Sequence, residues 1–131
     1  MENIFKIWGT RNRIHLDDKH EIDLLYLKPD TFCSTHAHIS KINKFYVVAG
    51  KVKIQSEYGE TILLPNESFV VYPPIKHRFC VLEPSIMVEM AYVKDGIIDP
   101  NDIIRETNGG RIINGQELTI EQLKEKGLLD L

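Results

Sequence analysis

The sequence predicts an all-β protein, an antiparallel barrel or sandwich carrying one short C-terminal helix. Three observations lead there. About ten short runs rich in β-branched and aromatic residues succeed one another at spacings of about 5 to 12 residues. Turn residues (Gly, Pro, Asn, Asp) punctuate them. The one well-formed helix signal, Thr119-Ile120-Glu121-Gln122, is a capping box confined to the end of the chain.

Taken in order, residues 1–28 read as two or three strands. IFKIW is apolar and ends at Gly9, RIHLD alternates into an Asp17-Asp18-Lys19 turn, and EIDLLYLK runs to Pro29-Asp30. Thr31 to His38 reads as one strand whose faces split into Ser34/His36/His38 and Cys33/Thr35/Ala37. Asn43 to Ala49 is a strand, Gly50 the turn into KVKIQSE, and Tyr58-Gly59 a hairpin turn into ETILLP. Pro65 to Ser68 is a loop, FVVY leads into Pro73-Pro74, and His77–Leu82 and Ile86–Val93 are two strands separated by Glu83-Pro84. The barrel therefore spans 1–94. Residues 95–131 form a tail of the same domain, with turns at Asp95-Gly96 and Asp99-Pro100, a flexible joint at Gly109-Gly110, and a helix to Lys126 stopped by Gly127. Leu118, Leu123, Leu128, Leu129 and Leu131 are expected to pack this tail down.

With 131 residues, 43% of them hydrophobic, the chain can bury one core. A net charge of −3 offers no basic excess for nucleic acid or an anionic membrane surface; Lys51 and Lys53 read as a solvated strand face. No apolar run approaches the ~20 residues of a membrane span, and MENIFKIWGTR shows no signal peptide. Two cysteines, Cys33 and Cys80, suit a reduced, cytoplasmic protein.

Histidines carry the chemistry. His36 and His38 stand two apart and so share a strand face, and His77 follows Pro73-Pro74 at the start of another β-run. Three imidazoles meeting at one point suit zinc, iron, nickel or manganese. His15 and His20 flank the Asp17-Asp18 turn and are expected at the surface. Cys33 alternates away from His36 and His38, and Cys80 away from His77, so neither is expected as a ligand. Phe45, Val47 and Phe79 are expected to wall the pocket. Glu89, a charge inside the apolar run SIMVEMAYV that ends with Tyr92 and Val93, is the candidate catalytic carboxylate. Lys41 and Lys44 are candidates for the pocket mouth, able to take a phosphate or carboxylate.

Over residues 20–94 these motifs resemble the cupin superfamily. Its first motif is G(x)5HxH(x)3,4E(x)6G; here Asp30 takes the first glycine position, His36 and His38 match, Asn43 takes the glutamate position and Gly50 matches. Its second is G(x)5PxG(x)2H(x)3N; here Asn66, Tyr72 and Pro74 take the turn positions, His77 matches, and Val81 stands for the asparagine. Asp and Asn tolerate turn geometry nearly as glycine does. The resemblance implies a cupin-type antiparallel β-barrel (double-stranded β-helix) holding a divalent metal on His36, His38, His77 and, with an amide replacing a carboxylate, Asn43. A narrower similarity links Asn66-Glu67-Ser68, Pro73, His77-Arg78 and Asn101-Asp102-Ile103-Ile104-Arg105 to the cupin domain of bacterial bifunctional mannose-6-phosphate isomerases, whereas Asn43-Lys44-Phe45 replaces that family's Glu-His-Trp.

The expected function is metal-dependent chemistry on a small polar metabolite, with a sugar or sugar-phosphate isomerase or epimerase as the leading reading. A three-histidine iron dioxygenase and a non-catalytic binding or sensor module are the rivals; the missing glutamate favours the last, the intact histidines the other two. Open sheet edges that need cover make a homodimer the expected assembly.

Overall fold

A computed structural model describes residues 3–129. The strands are β1 (Asn3–Lys6), β2 (Gly9–Leu16), β3 (His20–Leu27), β4 (Thr31–Phe32), β5 (His36–Ala37), β6 (Ile42–Ser56), β7 (Gly59–Leu63), β8 (Ser68–Val71), β9 (His77–Tyr92), β10 (Ile104–Arg105), β11 (Gly110–Ile113) and β12 (Gln116–Thr119), followed by α1 (Ile120–Glu125). One curled sheet runs β1-β2-β3-β9-β4-β11-β12, with β6 bridging β7, β8 and β9, and β5 joining β9 to β10.

Two long strands, β6 and β9, form the frame. They pair from Ile42↔Tyr92 to Ser56↔His77, and their register shifts between Val47 and Val52. The turn expected at Gly50 and the break expected at Glu83-Pro84 are thus one bulged corner at which a continuous ribbon bends. Gly50 sits there at φ +91°, where a Cβ would run into Ser85 and the Pro84 carbonyl. Asp30 (φ +58°) and Asn66 (φ +72°) occupy left-handed turns as their motif positions demand.

Alternation sorts the side chains. Leu25, Leu27, Phe45, Val47, Val52, Ile54, Phe79, Val81 and Met87 point inward and make the core. The same inward rows continue into polar residues at one end of the barrel. On β3, Glu21 and Asp23 are in phase with Leu25 and Leu27; on β6, Asn43 is in phase with Phe45; on β9, Glu89 is in phase with Met87. The barrel therefore has an apolar half and a polar, open half.

Beyond residue 94 the chain is woven into the sheet. β10 pairs with β5 and β11 pairs with both β4 and β12. Gly109-Gly110 is not a joint: a Cβ on Gly110 would strike the Leu118 carbonyl, and one on Gly109 would lie 2.5 Å from the Phe32 carbonyl oxygen. Both glycines are required by close backbone approach. The capping box of α1 forms as read, with Thr119 accepting from Gln122 N and Gln122 accepting from Thr119 N; Gly127 follows at φ +68°. Leu118 on β12 and Leu123 on α1 are buried, Leu129 is half-buried, Leu128 is exposed, and Leu131 lies outside the described residues.

Candidate metal centre

His36, His38 and His77 converge. One ligand atom from each lies within 4.8 Å of the others; the His36 ring is T-shaped to those of His38 and His77, which are tilted to each other, at centroid separations of 4.6 to 5.4 Å. β5 lies antiparallel to β9 with His36 directly opposite His77. His38 lies just past the end of β5, on the connector to β6.

Each ring is oriented the same way. His36 Nδ1 lies 2.7 Å from the Ser34 carbonyl oxygen, His38 Nδ1 2.6 Å from that of Asp102, and His77 Nδ1 3.0 Å from that of Ile75. A carbonyl can only accept, so each Nδ1 carries the proton and each Nε2 presents a lone pair. His77 Nε2 is buried without a hydrogen-bond partner. Burial holds the rings neutral: His36 is pushed down to about 3, with the neighbouring histidines adding, and His38 to about 4; His77 is also lowered. Three neutral, backbone-anchored imidazoles with inward lone pairs are the donor set a divalent cation takes, and the residues present fit one.

Asn43 reaches the cluster. Its Nδ2 lies 3.0 Å from His38 Nε2 and donates to Glu89 Oε2 at 3.2 Å, while its Oδ1 is buried without a partner. Glu89 lines the cavity beside the histidines, and burial pushes its carboxyl up to about 7, with Asp23 adding.

Several expectations change. The strand expected over Thr31–His38 breaks after Phe32 and resumes at His36, so alternation does not carry through it. Cys33 consequently faces the same cavity as His36. Burial raises its thiol and its sulfur accepts from Phe79 N at 3.2 Å, so it remains an uncharged packing group. Cys80 lies on the opposite face of β9 from His77, against Gln55. Phe79 lines the cavity and Phe45 packs on the His77 ring at 5.9 Å, but Val47 belongs to the core below. Lys44 points outward, since alternation places it opposite to Asn43 and Phe45. Lys41 does line the cavity, where it is buried with Nζ 3.1 Å from the Pro100 carbonyl oxygen and 3.9 Å from Glu21. His15 and His20 are exposed around Asp17.

Sequence reasoning missed the cavity's second wall. Glu21 and Asp23 are buried, Arg13 holds Glu21 at 2.8 Å, and Arg11 stands 3.7 Å from Asp23. The available signal was the i, i+2 row Glu21-Asp23-Leu25-Leu27. Asp102 was missed as a site residue as well. Its carboxylate accepts the amides of Ile39, Ser40 and Lys41, fixing the connector that carries His38. The cavity bounded by these groups measures about 530 Å³, a volume suited to a small metabolite.

A curled antiparallel sheet with three inward histidines defines a cupin. The chain belongs to the mannose-6-phosphate isomerase C-terminal family, whose model matches residues 1–108. No curated protein matches it. Among solved structures it is similar to KdgF from Halomonas sp. (18% identity, TM-score 0.66, covering 72% of this chain and 90% of that one). An RmlC-like cupin from Shewanella frigidimarina is similar too (17%, TM-score 0.64, 70% and 83%), as is Streptomyces PAC13 with uridine (11%, TM-score 0.69, 82% and 85%). At these identities the likeness establishes the double-stranded β-helix fold alone. No helix among the described residues is long and apolar enough to cross a membrane.

Proposed function

We propose that the protein is a divalent-metal-dependent enzyme that moves a proton on a small polar metabolite, an isomerase or epimerase of a sugar or sugar phosphate. The observation that carries this reading is the common anchoring of His36, His38 and His77 through Nδ1, which leaves three unprotonated Nε2 atoms in one cluster whose members His36 and His38 line a polar cavity together with Glu89. The family match supports the sugar class.

The three histidines would hold the cation, His38 Nε2 giving up its contact with Asn43 Nδ2 to do so, and the unpartnered Asn43 Oδ1 would be available as a further oxygen donor. The bound cation supplies Lewis-acid polarisation of a substrate carbonyl or hydroxyl. Glu89 takes and returns the proton. Its carboxyl, raised to about 7, is balanced between the two forms near neutral pH, as a general acid–base group requires. Asn43 Nδ2 holds Glu89 Oε2 at 3.2 Å and so orients it toward the histidines.

Metal content by mass spectrometry on untagged protein tests the reading, with His36→Ala/His77→Ala alongside. About one equivalent of zinc, iron, nickel or manganese, lost in the double variant, is expected. Glu89→Gln should retain the metal and lose interconversion of sugar phosphates. Oxygen-dependent loss of a ferrous signal would replace the reading with a dioxygenase. Absence of metal after reconstitution with each ion would overturn both and leave a binding module.

A further inference from the structure

The cavity wall carries more positive than negative groups. Lys6, Arg11, Arg13, Lys41 and Arg105 line it against the carboxylates Glu21, Asp23 and Glu89. Two of these acids have hydrogen-bond partners. Arg13 takes Glu21 through Nε at 2.9 Å and a terminal nitrogen at 2.8 Å, and Glu89 accepts from Asn43. Asp23 faces Arg11 at a loose 3.7 Å, which leaves Arg11 Nε and Asp23 Oδ1 both buried without a hydrogen-bond partner. Among the described residues Lys6 and Arg105 have no carboxylate partner.

These three cations come from separate elements: Lys6 ends β1, Arg11 lies on β2 and Arg105 on β10. Arg105 is the direct cross-strand neighbour of His36, so its side chain and the imidazole leave the same face of the sheet. Lys6, at the rim of the cavity, is lowered by partial desolvation and then by the positive charges of Arg105 and Arg11. Like charges collected around an open cavity are unfavourable in the empty protein, and an anion seated among them removes the repulsion. A guanidinium offers a planar fork that fits a carboxylate or phosphate through two hydrogen bonds.

We propose that Lys6, Arg11 and Arg105 form an anion subsite beside the histidine cluster, so that the substrate carries an acidic group, carboxylate or phosphate, a short distance from its reacting oxygen. This rests on the proposed function for the position of the reacting oxygen, but the subsite itself requires no metal. The acidic group would fix the substrate's direction in the cavity, and electrostatic focusing by the open cationic mouth would favour its entry.

Trp8, the one tryptophan of the sequence, lines the same cavity and reports on it. Metal-free protein would be titrated with inorganic phosphate and, separately, with malonate, following Trp8 emission at constant ionic strength against sodium chloride. A saturable change with either anion is expected, weakened about tenfold or more in Arg105→Gln and in Lys6→Gln, in line with the loss of a hydrogen bond to a charged group. Both side chains are exposed, so the substitutions leave the fold intact, as circular dichroism would verify. Phosphate alone would identify a phosphate ester as the substrate, malonate alone a carboxylate. No saturable change with either anion, in metal-free and in metal-loaded protein, overturns the subsite, as does equal binding in both variants. Retained metal without anion binding would sink this inference and spare the metal centre; anion binding without metal uptake would do the reverse.

Discussion

The backbone carbonyl of Asp102 accepts the Nδ1 proton of His38 at 2.6 Å, while the carboxylate of the same residue caps the amides of Ile39, Ser40 and Lys41. A single tail residue thus fixes both the ring and the connector of one member of the triad. Asp102→Ala keeps the carbonyl but releases the connector. Metal affinity is expected to fall about 10- to 100-fold, the usual cost of losing a supporting contact, with Asp102→Asn intermediate because one amide acceptor survives. A competitive chelator titration measures it. Unchanged affinity in Asp102→Ala would show that the connector holds His38 unaided.

Asn43 stands where a carboxylate would add a negative charge to the donor set. Asn43→Glu is expected to bind zinc more than about tenfold tighter than the natural protein. Without metal the same variant places a second buried carboxylate beside Glu89 and should melt earlier. Thermal unfolding in chelator and in excess zinc separates the two effects. A shift of the same sign and size in both conditions would remove Asn43 from the donor set.

Asp23 reverses the usual pH dependence of a carboxylate. Burial and then the charge of Glu21 push it up to about 6, against Arg11, Arg13 and Lys41; Glu89 is its partner across the β3–β9 pair. Its unfolded value is about 3.9. Between about pH 4 and 6 the folded protein therefore holds a proton that the unfolded chain has lost, and stability falls as pH rises through that window. Asp23→Asn removes this slope. Relative to the natural protein, the variant should gain on the order of 1–3 kcal/mol between pH 4 and pH 7, read by chemical denaturation at several pH values. A difference that stays constant with pH would mean that Asp23 ionises freely in the fold.

Gly110 is held against the Leu118 carbonyl and lies near the Phe32 ring, where a Cβ would approach to 2.7 Å. Gly110→Ala forces β11 away from β12 and from the Phe32 ring of β4 and should cost about 1–3 kcal/mol, as overpacking does. Because β10, which bears Arg105, belongs to the same segment, anion binding at the proposed subsite should weaken with it. A variant as stable as the natural protein would restore the reading of Gly109-Gly110 as a joint.

The sequence by itself determined the β class, because alternation and turn residues are local properties. Asp30 and Asn66 adopt positive φ where the motif calls for it, and the Thr119–Gln122 box caps α1 as read. It also determined the histidine cluster, since His36, His38 and His77 sit at spacings that the barrel converts into one point. The wall opposite was decided only by tertiary structure. Alternation says which face of a strand a residue occupies, but not which strand lies across from it. Glu21 and Asp23 become part of a cavity wall only when β3 is placed beside β9. Arg105 lies in a two-residue strand too short to show any period, and reaches His36 through a pairing that spans most of the chain. Cys33 changed face because its strand broke at a point that no local pattern marks. Closing the barrel sets these neighbours, and closure depends on pairings between segments far apart in sequence.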